Sequence, residues 1–318
     1  MSAKVLGLGP AGSAFLAVYR KAHGVDLSRR YFKACGEAVP VETPLVDLRY
    51  VVDRVKKFKF YLWRREVGEV TYAKPRWYIV DKRRWVESLR PPESLEESHE
   101  ILVKAGGPYQ SHGDKITVAR AYVSGVKMEE ETAYFVFPEE AVGFYWVFPH
   151  GSIYNVGGGF LGVENPLSYV RAFVERWLEG GTVVEIRGAP LTVTPRVVLH
   201  DGEGFRIGEA AGLVYPLTGE GIRPGILSAL ALAEALSTKK PLEAYRRQMG
   251  AVARQVEFQK RLLSLAKRLV GRKMAILGLA DDRVLRRYIE ENLSARVLFT
   301  ALAKRPVEGA RLVAALLR

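Results

Sequence analysis

Two glycine-rich elements, roughly two hundred residues apart, have the residue types and spacing of a ligand cradle. The first is Gly7-Leu8-Gly9-Pro10-Ala11-Gly12-Ser13, directly behind a short apolar run. A strand, a glycine turn and a helix in that order can hold a dinucleotide pyrophosphate. Gly7 permits the tight turn, Gly9 lets the backbone approach the pyrophosphate, and Gly12 lets helix and strand pack closely. Pro10 suits the first helical position, where an N–H is not needed. The helix, expected over residues 13–22, turns its free N–H groups and partial positive charge toward the phosphates.

The second element is Gly208-Glu209-Ala210-Ala211-Gly212, followed by Pro216-Leu217-Thr218-Gly219-Glu220-Gly221-Ile222. Glu209 is suited to accept hydrogen bonds from ribityl hydroxyls. The small residues around it let a ring system lie close to the backbone. A helix expected from about Pro224 to Leu236 would aim its N-terminus at that ring and stabilise negative charge on it. The first element alone implies a dinucleotide; the pair implies FAD, held at both ends by one discontinuous domain.

Other residues bear on this reading. The dinucleotide fingerprint has an acid at the end of its second strand, bonded to the adenosine ribose. Here the chain reads Val25-Asp26-Leu27-Ser28-Arg29-Arg30-Tyr31. Asp26 comes too early and the expected strand end is basic, with Arg29 or Arg30 contacting phosphate or adenine, or solvated. Cys35, taken alone, reads as a small buried apolar residue.

These elements must be positioned by a mixed scaffold. Runs at residues 58–63, 77–80, 116–123, 133–137 and 144–149 are alternating and aromatic, as antiparallel strands are. Residues 241–318 change to an Ala-, Leu- and Arg-rich helical pattern, with Leu262, Leu265, Ala266 and Leu269 on one face. The expected fold is α/β (α+β): a Rossmann-like FAD-binding domain (1–50, 101–125 and 196–240), an inserted antiparallel substrate domain (51–100 and 126–195), and a helical C-terminal region (241–318).

The segments together resemble the geranylgeranyl reductase family of FAD-dependent oxidoreductases, within the para-hydroxybenzoate-hydroxylase-like flavoproteins. The matches are the Gly7–Ser13 turn, Lys33-Ala34-Cys35-Gly36-Glu37, Tyr145-Trp146-Val147-Phe148-Pro149 with Asn155-Val156-Gly157-Gly158-Gly159, and the Gly208–Ile222 element. The resemblance implies that Cys35 and Gly36 sit beside the flavin, Cys35 as a catalytic residue with either it or an ordered water as the proton source, and that Tyr145, Trp146 and Phe148 wall an isoprenoid cavity. It implies an enzyme that saturates C=C bonds of a geranylgeranyl-type lipid precursor by flavin hydride transfer, fed by an unidentified electron donor. The chain departs from the family at Glu209, where Asp is usual, at the ribose acid, and at Lys104-Ala105-Gly106-Gly107, where Asp-Ala-Thr-Gly is usual. Two other readings are a flavin monooxygenase of an aromatic or polyprenyl substrate, and a degenerate, non-catalytic flavoprotein or lipid-binding module.

Composition bounds the rest. The chain has 318 residues, 48% hydrophobic and 26% charged, as soluble globular proteins have. No apolar run approaches the ~20 residues of a spanning helix. Strand-like residues begin at Lys4, so the expectation is a cytoplasmic chain without a signal peptide, or one peripheral to the inner face of the membrane. Cys35 is the only cysteine, which excludes an intrachain disulfide. The net charge of +13 suits an anionic membrane surface or a solvated Arg-rich exterior. No nucleic-acid motif accompanies it, and none is expected to bind. His23, His99, His112, His150 and His200 show no metal-ligand spacing. Abundant Arg with little Asn or Gln fits a thermophilic source.

Overall fold

A computed structural model describes residues 1–27, 31–91, 99–268 and 281–307. Arg29, Arg30 and Leu269, singled out above, lie outside the described residues.

The N-terminal apolar run forms strand β1 (Ala3–Leu6), which turns into helix α1 (Pro10–Val18) and then β2 (Ala22–Val25). β8 (Ile101–Lys104) and β14 (Phe205–Arg206) complete a parallel four-stranded sheet in the order β14-β8-β1-β2. Two of the four strands, β8 and β14, thus come from segments far down the chain, as a discontinuous cofactor domain requires. Helix α4 (Ile222–Ala235) packs against α1 over this sheet, burying Ile226, Ala229 and Leu232 with Phe15 and Val5. α1 stops at Val18, four residues short of the expected end. The second strand therefore begins at Ala22.

A large sheet holds β5 (Lys57–Leu62), β6 (Arg65–Thr71), β9 (Lys115–Ser124), β10 (Thr132–Phe137), β11 (Gly143–His150), β12 (Ile153–Phe160) and β13 (Thr182–Thr192). Its order is β13-β9-β12-β11-β10-β5-β6. All neighbours are antiparallel except β5 and β10, which run parallel. Residues 115–124, grouped above with the cofactor half, run as β9 inside this sheet. A small antiparallel sheet, β3 (Ala38–Pro40), β7 (Trp77–Val80) and β4 (Val51–Val55), bridges the two.

The period of two along each strand gives the large sheet two apolar faces. One is covered by α3 (Pro166–Trp177), which starts at an Asn165 cap accepting from Ser168 N at 3.1 Å. The other carries Phe60, Phe135, Trp146 and Phe148 and meets Leu285 and Ile289 of α6 (Asp282–Ile289). The helical region also includes α5 (Pro241–Arg268) and α7 (Ala295–Lys304), the latter capped by Ser294. No helix among the described residues is long and apolar enough to cross a membrane.

Candidate cofactor and substrate cavity

The glycines of the first turn do two different jobs. Gly7 has φ +102°, and a Cβ there would lie 2.6 Å from the Ala105 carbonyl oxygen. A Cβ on Gly12 would collide with the Gly7 oxygen. Both let the turn pack against its neighbours. Gly9 has an ordinary backbone (φ −72°, ψ −170°), and its missing side chain faces open space, with the Tyr31 ring 3.5 Å away. That space is a cavity of about 1360 Å³, bordered also by Gly7, Pro10 and Ala11.

The second glycine element closes on the first. A Cβ on Gly208 would sit 2.7 Å from that of Ala11, and the Gly208 N–H donates to Ser228 Oγ of α4 at 2.8 Å. Glu209 presents its carboxylate to the cavity, where Oε1 accepts from Thr192 N at 2.8 Å and Oε2 pairs with Lys33 Nζ. Gly219, Gly221 and Ile222 border the same space where the N-terminus of α4 opens. The cradle therefore offers FAD room at Gly9, the N-terminus of α1 and the Glu209 acid, whereas at α4, contrary to the sequence expectation, the Arg223 N–H is already taken by Glu220 Oε1 at 2.7 Å.

Asp26 requires a correction. It directly follows β2, because α1 is shorter than the sequence pattern predicts, and it borders the cavity. It occupies the strand-end position of the fingerprint acid. Its Oδ2 accepts from Leu8 N at 2.6 Å, which ties the strand end to the glycine turn. Arg90, unnoticed in sequence, supports that turn by donating to Leu8 O at 2.7 Å. Gly12 and Ser13 stand behind the cavity wall: Ser13 is fully buried and donates to Leu8 O at 2.9 Å.

Cys35 and Gly36 border the cavity at the junction of cradle and sheet. A Cβ on Gly36 would lie 2.5 Å from the Phe148 ring, so this loop runs tight against β11. Lys82 Nζ donates to Cys35 Sγ at 2.7 Å and to Lys33 O at 2.8 Å. Beside it, Glu37 is buried, with Tyr122 Oη donating to Oε2 at 2.6 Å and Asn155 Nδ2 at 3.1 Å. Burial pushes the Glu37 carboxyl up, but hydrogen bonds from His150 and Tyr122 and the Lys82 charge outweigh it and hold it below the usual range. Asn155 also accepts from Trp146 Nε1 at 2.9 Å, fixing that indole.

Trp146 and Phe148 face the cavity, as does Phe144, which the aromatic motif does not include. Tyr145 does not. Adjacent strand residues point to opposite faces, and Tyr145 stacks on Phe173 of α3 with centroids 4.1 Å apart. That contact is worth about 0.5–1.5 kcal/mol beyond its burial. Tyr145 is packing, not wall.

From Cys35 the cavity continues as an apolar tunnel between the sheet and the C-terminal helices. Leu262 and Ala266 of α5, Leu285 and Tyr288 of α6, and Leu298 and Phe299 of α7 form its roof. Leu265, expected on the same α5 face, also borders it. Thr218 of the second glycine element donates to Glu291, beyond α6, and Gln259 of α5 donates to the same carboxyl at 2.7 Å. Burial pushes Glu291 up to about 8, with the Glu220 charge adding to it, and burial pushes Glu220 up to about 7.

A segment of the chain is similar to the digeranylgeranylglycerophospholipid reductase 2 of Methanothermobacter thermautotrophicus, with 35% identity over 108 residues, 31% of this chain and 28% of the relative. It is 34% identical over 101 residues to the digeranylgeranylglycerophospholipid reductase of Methanocaldococcus jannaschii, 28% of this chain and 25% of the relative. The resemblance to geranylgeranyl reductases is borne out. The chain spans about a quarter of the length of these curated relatives, and no family model matches it.

The fold as a whole is that of a geranylgeranyl bacteriochlorophyll reductase-like protein from Thermoplasma acidophilum, with TM-score 0.71, 18% identity, and 99% of this chain and 98% of that one covered. It is also shared with a flavin-dependent brominase, with TM-score 0.67, 12% identity, and 95% and 98% covered. A halogenase solved in complex with FAD gives TM-score 0.59 at 14% identity, with 98% and 85% covered.

Proposed function

We propose that this chain binds FAD in the glycine cradle and is a reductase that saturates C=C bonds of an isoprenoid lipid precursor in the adjoining tunnel. The observation that carries this reading is the continuity of the cavity. One space runs from Gly9 past Cys35 to the apolar roof. Its volume exceeds the roughly 300–1,000 Å³ that a single small ligand occupies, which leaves room for a cofactor and a chain-like substrate together. The likeness to digeranylgeranylglycerophospholipid reductases and the fold shared with FAD-containing proteins support it.

Reduced flavin supplies a hydride when bound. The chain's own residues do the rest. Gly9 and the α1 N-terminus admit the pyrophosphate, Asp26 takes the ribose, and Glu209 takes the ribityl hydroxyls. Trp146, Phe148 and Phe144 hold the alkene in a dry wall, and Cys35, at the junction, gives the proton that the second alkene carbon needs. The electron donor docks at the surface, since no second Gly-x-Gly-x-x-Gly stands between a strand and a helix to take a nicotinamide; Gly157-Gly158-Gly159-Phe160-Leu161-Gly162 runs in and just past strand β12. An anionic membrane, attracted by the +13 charge, delivers the lipid.

The test is reconstitution of the purified protein with FAD, followed by anaerobic turnover of a geranylgeranyl lipid with chemically reduced flavin. Visible flavin bands and a product heavier by two hydrogens per bond are expected. A protein that takes up no FAD refutes the cofactor. A hydroxylated product formed with oxygen uptake refutes the reductase.

A further inference from the structure

We propose that Lys82 is a positioning residue for Cys35: it holds the sulfur at the cradle–tunnel junction and meets the negative charge left there when the thiol gives up its proton. This rests on the reductase reading of the cavity.

Little about its surroundings suits a lysine kept for stability. Its side chain is 3% exposed. It stands in the first turn of α2 (Lys82–Ser88), the positive end of the helix, where a cation is disfavoured. Its direct partners are the Cys35 sulfur, the Lys33 carbonyl and the face of Tyr31, 5.3 Å from the ring centroid. Among the described residues no carboxylate pairs with it directly, and Glu37 acts on it only through space. Burying an ammonium in such company is costly. Burial works against its charge, yet Cys35, Tyr31 and Glu37 together hold the ammonium above its usual pKa.

The backbone that carries Lys82 is fixed. Asp81 caps α2 by accepting from Arg84 N at 3.1 Å, and Trp85 is fully buried, with its indole donating to Leu45 O at 2.7 Å. The Glu37 N–H also donates to the sulfur, at 3.2 Å. Two donors thus converge on one sulfur that borders the cavity. Bound reduced flavin would supply a hydride with its electron pair to one alkene carbon, and the thiol proton would go to the other. Two C–H bonds would form as the alkene π bond, the donor's bond to the hydride and the S–H bond break, leaving oxidised cofactor and a sulfur whose charge lies opposite the Lys82 ammonium. A proton from water restores the thiol.

Because Cys35 is the only cysteine, alkylation by iodoacetamide reads this sulfur alone, without added FAD. Since a thiolate is the alkylated form and a nearby cation favours it, the rate at neutral pH should fall about tenfold in Lys82→Met and stay near wild type in Lys82→Arg. Lys82→Gln, which keeps a donor without the charge, should behave like Lys82→Met and serves in its place if the apolar variant fails to fold. Circular dichroism and thermal melting confirm the fold of each. An unchanged alkylation rate in a folded Lys82→Met or Lys82→Gln protein overturns the proposal. FAD titration of wild type is a separate arm: failure there removes the reductase reading while leaving the alkylation result to decide the Lys82–Cys35 contact.

Discussion

Glu291 gives the sharpest quantitative expectation. Its carboxyl is buried between the second glycine element and α5, and it keeps its proton up to about pH 8, against 4.5 for an unperturbed glutamate. The folded-state value is raised, so the native protein binds a proton that the unfolded chain releases. Stability is therefore fullest below about pH 4.5 and declines as pH rises toward 8. Each pH unit in that window costs up to about 1.4 kcal/mol. Over the window this amounts to roughly 5 kcal/mol. Glu220 lies close enough that the two carboxyls share the penalty, which brings the part specific to Glu291 to about 2–4 kcal/mol. Carboxyls held low by their partners, such as Asp201 beside Lys104 and Arg206, titrate beneath this window and do not mask it. Glu291→Gln keeps the shape and the contacts to Thr218 and Gln259 but removes the charge. It should leave stability at pH 5 within about 1 kcal/mol of wild type and raise it at pH 8 by about 2–4 kcal/mol. Denaturant unfolding followed by tryptophan fluorescence at pH 5, 6.5 and 8 measures both. Wild-type stability that is flat across this range, or a variant no better than wild type at pH 8, refutes the reasoning.

Gly9→Val should keep the fold, since its backbone angles suit valine, and weaken FAD binding about 10- to 100-fold by crowding the cradle by about 1–3 kcal/mol; Gly12→Val should instead fail to fold. Flavin fluorescence titration with circular dichroism separates the two, and normal affinity in Gly9→Val contradicts the cradle. Asp26→Ala should cost about 1.5–3 kcal/mol of FAD affinity through the lost charged hydrogen bond, read by the same titration against adenosine-containing and adenosine-free flavins. Phe144→Ala should raise KM for the lipid while leaving FAD affinity unchanged, whereas Tyr145→Phe should alter neither, and steady-state kinetics check both. Co-sedimentation with vesicles should favour anionic over neutral lipid and decline with salt, because surface charge is screened within about 10 Å at 0.1 M salt; equal binding to both at low salt argues against delivery from an anionic surface.

Much of the cradle could be read from the chain because its signals are local. Gly7, Gly9 and Gly12 sit between a strand and a helix that their own residues specify. The aromatic strands were legible for the same reason, through alternation. What depended on a boundary or on distance was lost. The Ser13–Ala22 stretch looks helical throughout, but α1 ends at Val18, which puts Asp26 directly after β2. The family resemblance assigns Tyr145, Trp146 and Phe148 to one wall, but strict alternation sends Tyr145 to the far face. Lys82 is followed by two arginines and resembles any basic surface residue; its burial comes from the fold around it. The tail's service as a roof depends on contacts between residues more than a hundred positions apart, such as Leu285 with Gly68, which no window of sequence contains.

The order of strands in the parallel sheet also shapes how the chain comes into being. β1 is made about a hundred residues before its neighbour β8 and about two hundred before β14. At translation rates of 5–20 residues per second, roughly 10–40 s separate the first strand from the last. During that interval β1 can pair with β2 alone and its β8-side edge stays open, while the intervening aromatic strands can already pair among themselves. The large sheet is thus poised to form first, with the cofactor half assembling around a finished neighbour. High separation in sequence makes this last docking slow, and a flavin that grips both glycine elements would act as the clasp that completes the nascent protein.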